Sequence, residues 1–137
     1  MITPMIQRLL ILLLTAMPLL AHHGDAGRYE DKLILLNGTL VEMQFVNPHS
    51  IIVFDVAEGG KTVRWRGELG TPGALQRQFG WTKSTLKAGD KITLIGRRLK
   101  SGTPYLNLTE TAKILMTDGS KEIFRTPNAL PGLALTK

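Results

Sequence analysis

The sequence contains no cysteine in 137 residues, only 6% aromatic residues, and no apolar run as long as the roughly 20 residues a spanning helix needs. Each absence excludes something. Without a thiol there is no disulfide framework, no thiolate zinc or iron–sulfur centre and no cysteine nucleophile. The Walker loop, the dinucleotide fingerprint, the G-x-S-x-G elbow and H-E-x-x-H are also missing, so an enzyme is not the expected reading. Acidic residues are outnumbered, 11 Asp+Glu against 17 Lys+Arg, for a formal charge of +6. What remains is 43% hydrophobic residues, ample for one packed core and too many for a disordered chain.

The amino-terminal segment has the layout of a secretory signal peptide. Arg8 is followed by 13 uncharged residues, Leu9 to Ala21, and the small side chain of Ala21 suits a signal peptidase cut after it. Pro18 interrupts the last turn of this run, which argues against a permanent anchor. Residues 1–21 are therefore expected to be removed on export to the periplasm or the cell exterior, leaving His22 to Lys137 with no membrane span. Arg8 is the only cation lost, so 16 basic against 11 acidic side chains remain, a formal +5. The basic excess belongs to the mature domain.

From Leu33 onward, short β-rich runs alternate with Gly, Pro, Asn and Asp, and no long segment has a helical period. The expected strands are Leu33–Phe45, Ser50–Val56, Lys61–Glu68, Lys91–Gly96 and Tyr105–Ile114, with Glu122–Arg125 pairing after the Thr117-Asp118-Gly119 turn. One helix is expected between the third and fourth strands: Thr71 caps it, Pro72 occupies its first position and Gly80 stops it. Three strands, a short helix and two strands is the order of an all-β, OB-fold-like Greek-key barrel, with a β-sandwich as the alternative. Alternation sends Ile52, Phe54 and Val56 inward and His49, Ile51, Val53 and Asp55 outward, and makes Trp65 a core anchor between Arg64 and Arg66. Residues 22–32 read as a flexible lead, 33–125 as the barrel domain and 126–137 as a loose carboxy-terminal tail.

Histidines carry the sharpest chemistry. Cleavage after Ala21 would give His22 a free α-amine and an imidazole on one residue, which together can chelate a metal. A second imidazole, from His23 or His49, would complete a three-nitrogen set suited to copper by ligand type and by the Irving–Williams order. The plain alternative is that His22 and His23 are only a polar start. His49 follows Asn47-Pro48 in the link between the first two strands, where it either hydrogen-bonds the turn or serves as a ligand. A Ser50–His49 catalytic pair is disfavoured, because neighbouring strand residues point to opposite faces. Asp55, Glu68, Asp90 and Glu110 fall near strand ends or turns and make no acid/base pair; Glu68 reads as a solvated strand end or as an acceptor behind a ligand.

Cations supply the competing reading. Arg64 and Arg66 share one face of the third strand, and Arg97, Arg98 and Lys100 fall in the link between the fourth and fifth strands. OB-folds bind polymers with that loop and the face of strands two and three. Only Tyr105 is placed to stack on a base, and export removes the usual nucleic acids, so an anionic polymer or a periplasmic partner protein is the better fit, with a solvated rim as the plain alternative.

The chain resembles a family of small exported bacterial proteins of unknown function over roughly His22 to Ser120. The carriers are Ala21-His22-His23, Gly38-Thr39-Leu40-Val41, Asn47-Pro48-His49-Ser50, Trp65 with Glu68, Gly80-Trp81, Leu86-Lys87-Ala88-Gly89-Asp90 and Asp118-Gly119. The resemblance implies export and a compact β domain, and no catalytic residue. The expectation is an exported binding protein, with copper or another transition metal at His22, His23 and His49 ahead of an anionic or protein partner.

Overall fold

The structure is a computed structural model and describes residues 27–129. Its elements are β1 (Tyr29–Gln44), β2 (Ile51–Glu58), β3 (Lys61–Glu68), α1 (Pro72–Phe79), β4 (Lys91–Leu99), β5 (Tyr105–Asn107), β6 (Lys113–Met116) and β7 (Glu122–Arg125). Five strands close into a barrel in the order β1-β2-β3-β5-β4, with β4 pairing back onto β1. The β3–β5 contact is parallel and the other contacts in the ring are antiparallel. This is the OB-fold-like Greek-key barrel expected from the element order. The β6–β7 hairpin extends the sheet beyond the ring through β4.

Closure depends on β1, which serves two neighbours. Its residues Tyr29 to Thr39 pair with β4, residues Gly38 to Gln44 pair with β2, and Gly38 and Thr39 have partners on both sides. A strand bent that sharply needs room on its inner side. A Cβ at Gly38 would come within 2.8 Å of the Phe54 ring and 3.1 Å of the Asp55 carbonyl oxygen. A bulge between Leu40 and Glu42 adds to the curl.

Inside the ring, Ile52 and Phe54 of β2, Ile92 and Leu94 of β4 and Leu106 of β5 are fully buried, each stabilising the fold by about 1.5–3 kcal/mol. Trp65 is buried, as its alternation with Arg64 and Arg66 requires. Val53 is a departure from the expected pattern. It points outward yet is almost covered, with Glu42 and Arg66 as its ladder partners and their aliphatic stems beside it.

Helix α1 forms where its boundary residues dictate. The Thr71 hydroxyl accepts from the Ala74 amide at 3.1 Å, Pro72 opens the helix, and Gly80 ends it in the left-handed region at φ 68°. Leu75 is its buried contact, and Trp81 and Leu86 follow into the same core. The β2–β3 hairpin turns on Gly59 and Gly60, both at positive φ, the arrangement a two-residue turn favours.

Three boundaries differ from expectation. β1 begins at Tyr29, so residues 29–32, placed in the lead by composition, form part of a strand against β4. β4 continues to Leu99, which makes Arg97 and Arg98 strand residues instead of loop residues. The expected strand Tyr105–Ile114 is two strands. Asn107 Oδ1 accepts from both the amide and the hydroxyl of Thr109 at 2.7 Å, and Thr111 adopts φ 50°, so a side chain captures backbone that the ladder would have used. At the other end, Thr126 is buried and bonded to Ala112, so the tail begins as a docked residue.

Candidate functional site

The link between β1 and β2 carries the most structured polar cluster. It contains a cis Asn47–Pro48 peptide, and its backbone is tied to the segment after β3 through Ser50 N to Gly70 O at 3.0 Å and Leu69 N to Ser50 O at 2.9 Å. That pairing brings His49 to the end of β3, where its Nδ1 hydrogen-bonds Glu68 Oε1. Tyr105, the first residue of β5, donates its hydroxyl to Glu68 Oε2 at 2.6 Å. Both oxygens of one carboxylate are thus engaged, by residues from two other segments.

The tautomer follows from the partner. Where Glu68 is ionised it only accepts, so Nδ1 is the nitrogen that bears the hydrogen, and whenever the ring is neutral its lone pair is on Nε2. His49 is 51% exposed and Glu68 21%, so the ring is held at its base while its outer part meets solvent. The Tyr105 phenol is pushed well above its ordinary range, first by burial and then by the Glu68 hydrogen bond and charge. It therefore stays a donor throughout neutral and mildly alkaline conditions. A carboxylate that orients a histidine and fixes its tautomer is the usual support behind a metal-ligating imidazole.

His49 is brought to Glu68 and Tyr105; His22 and His23 lie outside the described residues. Among the described residues no three His, Asp or Glu side chains converge as a ready metal set. Ser50, beside His49, is fully buried with its hydroxyl unpaired among the described residues, so the two side chains diverge. Trp65 does not bond Glu68; its indole N–H donates to Glu58 Oε1 at 2.7 Å.

The five cations do not share one surface. Arg64 forms a two-pronged pair with Asp55 at 2.9 and 3.0 Å, which holds the Asp55 carboxyl below its ordinary value. Arg66 donates to Gln44 Oε1 at 3.3 Å, and Gln44 in turn donates to Glu42 at 3.2 Å. Arg97 and Arg98 are consecutive in β4 and face opposite ways. The Arg98 guanidinium lies 6.0 Å over the Trp65 ring, whereas Arg97 pairs in register with Asn107 and Leu33 and has a buried, unpaired Nε. Lys100 sits in the following turn, where its amide bonds Arg28 O at 2.9 Å.

Tyr105 was visible in the sequence only as a stacking candidate. Its role as the second partner of Glu68 depends on the parallel β3–β5 pairing, which puts Tyr105 opposite Arg66 and Asn107 opposite Glu68. No local spacing signals a parallel contact between strands 37 residues apart.

These features define the chain as a small OB-fold-like barrel protein with a carboxylate-held histidine beside its first loop. It belongs to a family of unknown function (DUF6152), whose model matches residues 10–105. No curated protein and no solved structure matches the chain. No helix among the described residues is long and apolar enough to cross a membrane.

Proposed function

We propose that the chain is an exported binding protein that takes up a transition metal, copper foremost, through its amino-terminal histidine and His49. The observation that carries this reading is the contact between His49 Nδ1 and Glu68: with Nδ1 engaged by the carboxylate, Nε2 is the nitrogen left to donate to a metal on a half-exposed ring. Export with cleavage after Ala21 would add the α-amine and imidazole of His22. His23 is the further imidazole within reach of the same terminus. Two imidazoles and an amine are a donor set that favours Cu(II) over the other divalent first-row metals.

An anionic polymer or a partner protein bound through Arg64, Arg66, Arg97, Arg98 and Lys100 has less support. Arg64 is committed to Asp55, Arg66 to Gln44, and Arg97 and Arg98 face apart.

Native intact-mass spectrometry of the protein recovered from the exported fraction of copper-supplemented cells tests the reading. A mass starting at His22 with one copper, lost in His49→Ala, is the expected result. A metal-free mass, or a chain starting beyond His23, overturns it.

A further inference from the structure

At the far end of β2 from His49, the barrel opens into a cleft of about 500 Å³ between the middle of β1, the end of β2 and the latter part of the β4–β5 link. Ile34, Leu36 and Val56 line its walls and Trp65 stands at its edge with the ring almost wholly buried. Two charged side chains frame it, and the structure treats them differently. Glu58 accepts from the Trp65 indole at 2.7 Å. The Arg98 guanidinium rests 6.0 Å over the same ring and has no hydrogen-bond or ion-pair partner among the described residues.

An arginine in that position is pre-set for an anion. Its backbone is fixed in the β4 ladder opposite Leu106, and its head is held by the indole face instead of by a carboxylate. The donors of the fork are therefore available, in a geometry that matches a carboxylate. Inorganic anions would leave the half-buried Ile34 and Leu36 walls in water. A ligand that satisfies both parts carries one carboxylate on an apolar body, and the volume falls in the range of ordinary small-molecule sites.

We propose that the mouth of the barrel is a binding site for a small organic monocarboxylate, with Arg98 as the anion clamp and the indole face of Trp65 as its platform. The site lies away from His49, which precedes β2 whereas Glu58 ends that strand, although Pro104 on its rim is the residue before Tyr105.

The chain has two tryptophans, and they sit in different places. Trp65 borders the cleft, and Trp81 packs edge-on to Phe124 with its indole N–H on Ile123 O at 3.4 Å. Two-dimensional 15N–1H spectra of the purified protein, titrated with benzoate and with hexanoate, read both indoles at once. A saturable shift of the Trp65 indole with a still Trp81 indole is expected, with Kd of about 1 mM for ligands of this size. Arg98→Gln should weaken benzoate at least about tenfold, Arg98→Lys should recover part of the loss, and Arg64→Gln should change nothing. Benzyl alcohol, which has the body without the charge, should bind far more weakly. The proposal fails if Trp65 shows no saturable response, if benzyl alcohol binds as well as benzoate, or if Arg98→Gln, still giving a folded spectrum, binds like the parent.

Discussion

A histidine becomes a particular chemical group only when its neighbours choose its tautomer, and Glu68 does this for His49. Glu68→Gln keeps the shape of that side chain while removing the charge and one acceptor oxygen. Its amide cannot accept from both His49 and Tyr105. Copper affinity should fall about tenfold in this variant, the scale typical of losing a group behind a ligand, while the far-ultraviolet dichroism of the barrel persists. Competition titration against a chelator of known affinity checks it, and an unchanged affinity would remove Glu68 from the site. The residue itself was legible in the sequence as a strand-end acid with two open roles. That it accepts from His49 and Tyr105 instead of standing solvated was not legible, because it depends on the ties between Ser50 and the segment Leu69–Gly70, which bring His49 within reach.

Elements here are stabilised by their ends. Thr71→Ala removes the oxygen that accepts from the Ala74 amide, and the loss should be about 1 kcal/mol in urea unfolding, because no other side chain among the described residues caps that turn. The β6–β7 hairpin carries an acid-sensitive device. Glu122 accepts two hydrogen bonds from Arg125, at 2.9 and 2.7 Å, and lies 3.2 Å from Lys113. Chiefly through the Arg125 bonds, and then through Lys113, its carboxyl is held below the ordinary value of 4.5. The folded chain thus binds this proton less tightly than the unfolded chain, so the contribution is complete above that value and disappears as pH falls below it. Glu122 is 38% exposed, so solvent screening limits the effect to about 0.5 kcal/mol. Glu122→Gln should be less stable than the parent at neutral pH, and the gap should close in acid unfolding series below the ordinary carboxyl value. A gap independent of pH would assign the effect to packing instead of charge. The helix and its caps were readable from Thr71, Pro72 and Gly80 in sequence. The break after Asn107 was not, because the Asx hydrogen bonds that cause it compete with an equally plausible continuation of the strand.

Closure of the barrel is a property of the whole molecule, and Gly96 is where it is tightest. A Cβ there would stand 2.5 Å from the Asn107 carbonyl oxygen and 3.1 Å from both Leu106 and Leu108. The first of these neighbours is backbone and cannot turn aside. Gly96→Ala should therefore destabilise the protein by about 3 kcal/mol in chemical denaturation, with the loss centred on β4–β5. Amide hydrogen exchange should show β5 losing protection before β2 and β3. An alanine variant as stable as the parent would mean that β4 and β5 approach less closely than described.

The sequence by itself determined what depends on neighbours a few residues apart. Period-two alternation set the inward faces of β2 and β3, the Thr-Pro and Gly signals set α1, and the order of elements pointed to the barrel. The tertiary structure alone decided which distant segments meet. The doubling of β1 onto two partners, the parallel β3–β5 contact, the turning of Arg98 onto Trp65 and the meeting of His49, Glu68 and Tyr105 all follow from closure. The reason is physical. A repeat of two or 3.6 residues is written along the chain, whereas closure is settled by the joint packing of the whole core, in which Gly38 and Gly96 matter only once their opposing strands are in place.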